Sequence, residues 1–245
     1  MPEHAAPSSV VSAKDLTVEY GPVRAVRGVT LDVSAGQVVG VLGGNGAGKS
    51  STLRAVAGVN PPTSGQLMVA GCDMSRPGSA ELARTKVGYT PDVGGLIRAA
   101  TVREHIGIAL STRGMLGEWA AAAALVEEFD LADVVDRDTA GFSHGMSRRL
   151  SVLLAALTSQ DVLILDEPFD GVDPVGVEAT MRVITRAKNA GIAVLVSTHL
   201  LSLLVRCSDN IAVMTHGKIR DYADADAFAG GIGERRYEQI LQQAH

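Results

Sequence analysis

Gly43-Gly44-Asn45-Gly46-Ala47-Gly48-Lys49-Ser50-Ser51 decides how the rest of the chain is read. It has the spacing of a phosphate-binding loop: Gly, four residues, then Gly-Lys-Ser. The flanks suit that reading. Residues 38–42 read as a buried strand and residues 52–57 as the start of a helix. Glycines let successive backbone N–H groups turn into one concavity. The helix N-terminus adds partial positive charge behind bound phosphates. Lys49 supplies a point charge for the β- and γ-phosphates, and Ser50 a hydroxyl for a Mg²⁺ ion. The loop alone implies a nucleotide but no particular reaction.

Toward the N-terminus, residues 10–20 and 25–33 read as strands joined by a Gly21-Pro22 turn, which suggests antiparallel pairing. Tyr20 ends the first strand. It is either an exposed aromatic that stacks on a base or a strand-end residue packed on its neighbour. Residues 1–10 read as a loose tail without the basic and apolar regions of a secretory signal. Toward the C-terminus, a turn at 61–65 leads to a strand at 66–70, a second turn at 71–73, a short helical piece at 81–84 and a strand at 86–89. Residues 92–95 read as a flexible joint. Thr101-Val102-Arg103-Glu104 looks like a capping start, and the text from there to about residue 133 is mostly helical. A helical insertion spanning about residues 93–157 follows from this, and Ser143-His144-Gly145-Met146-Ser147 opens one of its helices.

Residues 161–168, Asp-Val-Leu-Ile-Leu-Asp-Glu-Pro, read as a strand covered on both faces and ending in two carboxylates. A helix at 174–190, a strand at 192–196 and Ser197-Thr198-His199 at that strand's carboxyl end come next. A helix begins at 200–205, and residues 211–214 and 218–219 read as a hairpin. Residues 223–245 read as a tail, in which Gly230-Gly231-Ile232-Gly233 forms a hinge before a short charged helix. The alternation predicts an α/β fold: a phosphate-loop NTPase core with a mostly parallel sheet, an N-terminal antiparallel β-subdomain and the inserted helical subdomain. Ligands of such sheets sit outside the carboxyl ends of the strands. The phosphate loop, Asp166-Glu167 and His199 all fall there. Asp166 suits a metal, usually through water, and Glu167 is the adjacent group able to orient or deprotonate water. Taken alone, a histidine such as His199 after a strand is more often structural than catalytic.

Composition excludes several other classes. Only 4% of the residues are aromatic, so the core must be built from Ala, Val, Leu and Ile. The net charge of −5 argues against a broad nucleic-acid face. Cys72 and Cys207 lack metal-site spacing, and a chain of 245 residues needs no disulfide scaffold, which makes a reducing cytoplasm the default. The longest apolar run, residues 119–126, falls well short of the about 18 residues a membrane span needs.

Read together, Gly43–Ser51, Val87-Gly88-Tyr89, Phe142-Ser143-His144-Gly145-Met146, Leu163–Pro168, Gly171-Val172-Asp173-Pro174 and Ser197-Thr198-His199 form an ordered series. In that series the chain resembles the nucleotide-binding subunits of ATP-binding cassette transporters over residues 11–219. The stretch 143–150 looks most like subunits of exporters of drugs, antibiotics or lipids. The resemblance implies ATP and Mg²⁺ as cofactors, a cassette domain over residues 11–222, and two chains sandwiching two ATP molecules as a homodimer or heterodimer. It implies that Tyr20 stacks on adenine, and that Gly43, Asn45, Gly46, Gly48, Lys49, Ser50 and Ser51 hold phosphate and metal. Glu167 becomes the general base and His199 a contact to the γ-phosphate, with Lys49 assisting. Ser143 and Gly145 reach the other subunit's nucleotide, and Asp173 lies along the interface. A separate membrane-spanning chain is the implied partner, docked on the helical subdomain. The implied location is cytoplasmic, peripheral on the inner face of the membrane.

Three positions depart from the family pattern. Asp92 stands where Gln is usual, and could ligate the metal while bringing a charge. His144 replaces a common Gly, and Gly44 a common Pro. An importer ATPase and a soluble cassette ATPase acting on nucleic acid or ribosomes are the alternatives. The absence of a second cassette and of a heptad run, and the acidic charge, weigh against the soluble one.

Overall fold

The computed structural model describes residues 9–92 and 95–243; most of the N-terminal segment expected to be a loose tail lies outside them. Two sheets pack around the loop-bearing strand. The first is antiparallel, in the order β2-β1-β4-β5, formed by β1 (Ser9–Tyr20), β2 (Val23–Ser34), β4 (Ser64–Val69) and β5 (Cys72–Asp73). The second has the order β10-β9-β3-β8-β7-β6, with β3 (Val38–Leu42), β6 (Val87–Thr90), β7 (Val162–Asp166), β8 (Ala193–Thr198), β9 (Asn210–Thr215) and β10 (Lys218–Asp224). Its neighbours are parallel except for the β9–β10 hairpin.

The central strands are buried on both faces, as their unbroken apolar runs require. Val38 and Leu42 of β3, Leu163 and Leu165 of β7, and Val194 and Val196 of β8 face a core shared with the helices. The alternate residues Val39, Val41, Ile164 and Leu195 face a second core closed by α1 (Lys49–Val56) and the antiparallel sheet. Strand period two assigns each residue to its core.

Between β6 and β7 lie α3 (Val102–Thr112), α4 (Trp119–Glu128) and α5 (His144–Thr158). The capping box at Thr101 is formed in full, with Glu104 N–H donating to Thr101 Oγ1 at 3.1 Å and Thr101 N–H to Glu104 Oε2 at 2.7 Å. α2 (Pro77–Lys86) is longer than the expected four-residue piece, because Pro77 supplies an N-terminal start upstream of it. α6 (Pro174–Asn189) and α7 (Leu201–Cys207) cover the helical side.

Two expectations are corrected. The expected turn at 71–73 contains β5, because Met68↔Asp73 and Val69↔Cys72 pair as a tight hairpin. The expected hinge at 230–233 belongs to a helix, α8 (Gly230–Gln243). A Cβ on Gly233 would meet Phe228 O at 1.9 Å, so glycine there permits close packing and does not mark flexibility. Tyr237 and Ile240 then pack on the core, and Arg236 lies 4.8 Å from the Phe228 ring centroid while pairing with Asp221 at 2.6 Å.

Candidate nucleotide site

Strand order brings the three expected stretches into one crevice. β8 lies between β3 and β7, and the registers Leu42↔Thr198 and Asp166↔Ser197 align their carboxyl ends. The phosphate loop leaves β3, Asp166-Glu167 ends β7, and His199 follows β8. β6 lies on the far side of β7, so Pro91 and Asp92, which follow Thr90, lie beside the same crevice, and residues 93–94 of the expected joint lie outside the described residues.

The loop is held from behind by backbone bonds. Gly217 N–H donates to Ala47 O at 2.8 Å, and Arg27 N–H donates to Gly217 O at 2.8 Å. The β9–β10 turn thus links the loop to the antiparallel sheet. Gly44, Asn45 and Gly46 are exposed to solvent at the front of the loop. Lys49 is buried, and its Nζ donates to Gly43 O at 2.7 Å and Gly44 O at 3.2 Å. It also lies 3.0 Å from Glu167 Oε1, as an ion pair outside hydrogen-bonding geometry.

Asp166 is fully buried. Its Oδ1 accepts from Ser197 Oγ at 2.6 Å and Ser50 Oγ at 3.1 Å, while Oδ2 has no hydrogen-bond partner. Burial pushes its pKa up, the Ser197 and Ser50 bonds oppose that, and the charges of Asp92 and Glu167 add to the rise. A buried carboxylate with an orphaned oxygen beside a serine hydroxyl suits a hard cation that takes oxygen ligands. Among the described residues no cluster of three or more His, Cys, Asp or Glu could form a metal cage. The donor set therefore fits an ion completed by phosphate and water, as Mg²⁺ commonly is.

Glu167 adopts a left-handed backbone conformation, φ +48°. Its N–H donates to both the backbone O (3.1 Å) and the Oγ (3.0 Å) of Ser197. These bonds hold a conformation that is uncommon for a residue with a side chain. Its Oε2 lies 3.2 Å from His199 Nδ1, and the histidine is half exposed. Ser197 thus holds the Asp166 carboxylate and the Glu167 backbone at once. Sequence reasoning quoted it only as part of a strand end; the signal was a polar residue closing a fully buried apolar strand.

Of the remaining expected residues, Asp92 lies near enough for its charge to act on Asp166, and Tyr20, Ser143, Gly145 and Asp173 have their hydrogen bonds and packing contacts elsewhere. Tyr20, 40% exposed, accepts from Asn60 Nδ2 at 2.8 Å through its hydroxyl, which leaves the ring accessible. Ser143 is exposed and caps α5, accepting from Met146 N–H at 3.2 Å. Gly145 packs on the turn after β7: a Cβ there would lie 2.7 Å from Gly171 O, so this glycine is already required within one chain. Asp173 caps α6 through Gly176 N–H at 2.8 Å and lies 3.7 Å from Arg149 Nη2. The Asp92 carboxylate, expected as a metal ligand, lies 3.5 Å from Arg148 Nη2.

A sheet of this order with a phosphate loop, a strand-end Asp-Glu pair and a capped signature helix on an inserted helical subdomain defines a phosphate-loop ATPase of the cassette type. A family model described as "ABC transporter" matches residues 26–170. The chain belongs to the ATP-binding cassette family and is an ATPase. It is 32% identical to the bacitracin transport ATP-binding protein BcrA of Bacillus licheniformis, over 86% of this chain and 69% of that protein. It is 31% identical to the lipopolysaccharide export system ATP-binding protein LptB of Haemophilus influenzae, over 86% of this chain and 89% of that one. The solved structure of an ATP binding subunit of an ABC transporter superposes with a TM-score of 0.84 at 26% identity, covering 96% of this chain and 99% of the other.

Proposed function

We propose that this chain is the ATP-hydrolysing subunit that powers a separate membrane-spanning subunit, exporting a drug-, antibiotic- or lipid-like molecule. One observation carries the two-chain part of this reading. Ser143 and the α5 N-terminus are exposed, while the phosphate loop, Asp166, Glu167 and His199 share a crevice of their own. Each chain then offers half a site: the loop of one and the signature end of the other. The bacitracin transport role of BcrA supports an antibiotic-like cargo and the lipopolysaccharide export role of LptB supports export, as does Met146-Ser147-Arg148-Arg149-Leu150. Among the described residues no helix is long and apolar enough to cross a membrane, which supports a pore on another chain and peripheral attachment at the inner face. The helical subdomain, about residues 93–157 within a cassette of residues 11–222, is the proposed docking surface.

The residues divide the work. Tyr20 would stack on the adenine. Asn45 and the loop glycines would hold the phosphates through backbone N–H groups, with Ser51 beside them. Lys49 would exchange its two carbonyl bonds and Glu167 for the β- and γ-oxygens. Ser50 and Asp166 would hold Mg²⁺, which when bound supplies charge neutralisation for the transferring phosphoryl group. Glu167 would take the proton of the attacking water, oriented by its strained backbone. His199, paired with Glu167, would contact the γ-phosphate. Ser143 and Gly145 of the second copy would complete that shell, and Asp173 would lie along the interface. Neither chain alone has enough donors for the γ-phosphate, so ATP would hold the pair closed and hydrolysis would release it. The test is Glu167→Gln. It should bind ATP, turn over slowly and accumulate as a dimer in size-exclusion chromatography with light scattering. Wild-type turnover by that variant would overturn the base assignment.

A further inference from the structure

Arg148 is 4% exposed, although it carries a full charge. It stands on α5 just beyond the signature end, and its guanidinium reaches two other segments. Nη1 donates to Pro91 O at 2.6 Å and Asp166 O at 3.3 Å; Nη2 donates to Asp92 O and lies 3.5 Å from Asp92 Oδ1. One side chain thus ties together the signature helix, the joint entering the helical subdomain, and the strand end that carries Asp166-Glu167. Carbonyl dipoles solvate a buried guanidinium but do not neutralise it. Among the described residues, the carboxylate that pairs with it is that of Asp92.

This pairing bears on the departure at position 92. Asp92 is also an unfavourable charge for Asp166, so a free carboxylate there would add repulsion to a crevice already holding Asp166 and Glu167. Against Arg148 that repulsion is offset. We propose that Arg148 is a positioning residue of the ATPase site and that Asp92 is its counter-ion and not a ligand of the metal. This rests on the ATPase reading above. The pair holds Pro91 and Asp92 at the nucleotide strand.

The experiment is a double-mutant cycle of Arg148→Met and Asp92→Asn, read in two ways. The first is thermal stability of nucleotide-free protein in EDTA. Each single variant should lower Tm, and the double variant should fall by less than the two single drops combined, because neither charge is then left alone. The second readout is Mn²⁺ affinity of the ATP-bound protein by EPR titration. Asp92→Asn should stay within about threefold of wild type, whereas loss of a direct carboxylate ligand would cost at least the about tenfold that loss of even an outer-shell partner typically costs. In turnover, Arg148→Met should lower kcat about tenfold with KM for ATP within about threefold, as for a group that sets geometry rather than ground-state binding. Additive Tm changes together with a tenfold loss of Mn²⁺ affinity in Asp92→Asn would overturn the proposal. Should Arg148→Met fail to fold, Arg148→Gln removes the charge while keeping an N–H donor for the carbonyls, and replaces it in the cycle. The nucleotide-free cycle does not depend on hydrolysis, so its failure is distinguishable from failure of the ATPase reading.

Discussion

Replacing Asp166 by Asn should make the nucleotide-free protein more stable while removing its response to Mg²⁺. The reasoning starts from the two oxygens. Oδ1 accepts from Ser197 at 2.6 Å and Ser50 at 3.1 Å; Oδ2 is buried without a partner. An Asn with its amide oxygen on the serine side keeps both bonds and removes the charge. Leaving a buried acceptor unsatisfied costs about 1–3 kcal/mol, more when it is charged. The Asn NH₂ inherits the same position unsatisfied but neutral, so part of the penalty remains and the net gain is about 1 kcal/mol. In a chain of this size that raises Tm by about 2–4 °C. ATP with Mg²⁺ at a hundred times Kd stabilises wild type by about 2.7 kcal/mol, a rise of about 5–10 °C on the same scale. The variant retains Lys49 and the loop, so it should show the shift that ATP gives in EDTA but not the increment added by Mg²⁺. Thermal melts of both proteins, with and without ATP, in EDTA and in Mg²⁺, decide this. A lower nucleotide-free Tm, or an undiminished Mg²⁺ increment, would show that Asp166 is a structural acceptor and that the metal sits elsewhere.

Two further predictions concern the helical subdomain. Glu128, at the end of α4, pairs with Arg182 at 2.7 Å and Arg186 at 2.5 Å on α6. Burial pushes its pKa up, but the hydrogen bonds and charges of Arg186 and Arg182 outweigh this and hold it below the ordinary range. A depressed native pKa contributes stability above the unfolded value and loses it as pH falls through the native one. Glu128→Gln should therefore cost about 1 kcal/mol at neutral pH, since both arginines are half exposed and screened. Urea unfolding should find that gap narrowing as pH falls below the ordinary carboxylate range, and a gap unchanged in acid would contradict the ion-pair account. Thr101→Ala should cost about 1 kcal/mol by removing the α3 cap, seen as faster amide exchange in the first turn of α3; Thr101→Ser should restore it.

The sequence by itself determined the local chemistry. Residues 43–51 need only a strand before and a helix after to make a phosphate loop. Residues 162–165 could only be a doubly covered strand ending at Asp166, and Thr101 with Glu104 specified a helix start. These signals are short-range, each set by backbone sterics, capping or strand period over a few residues. The tertiary structure decided which side chains meet. That β8 lies between β3 and β7 is a matter of strand order, and it makes Ser197 the shared partner of Asp166 and Glu167 across 30 residues or more. Gly233 looked like a hinge because a glycine in sequence shows freedom but not the carbonyl packed against it. The same limit applies to Asp92, a metal ligand by analogy of position. A charge acquires its partner only when the fold brings one within reach, and here α5 brings Arg148.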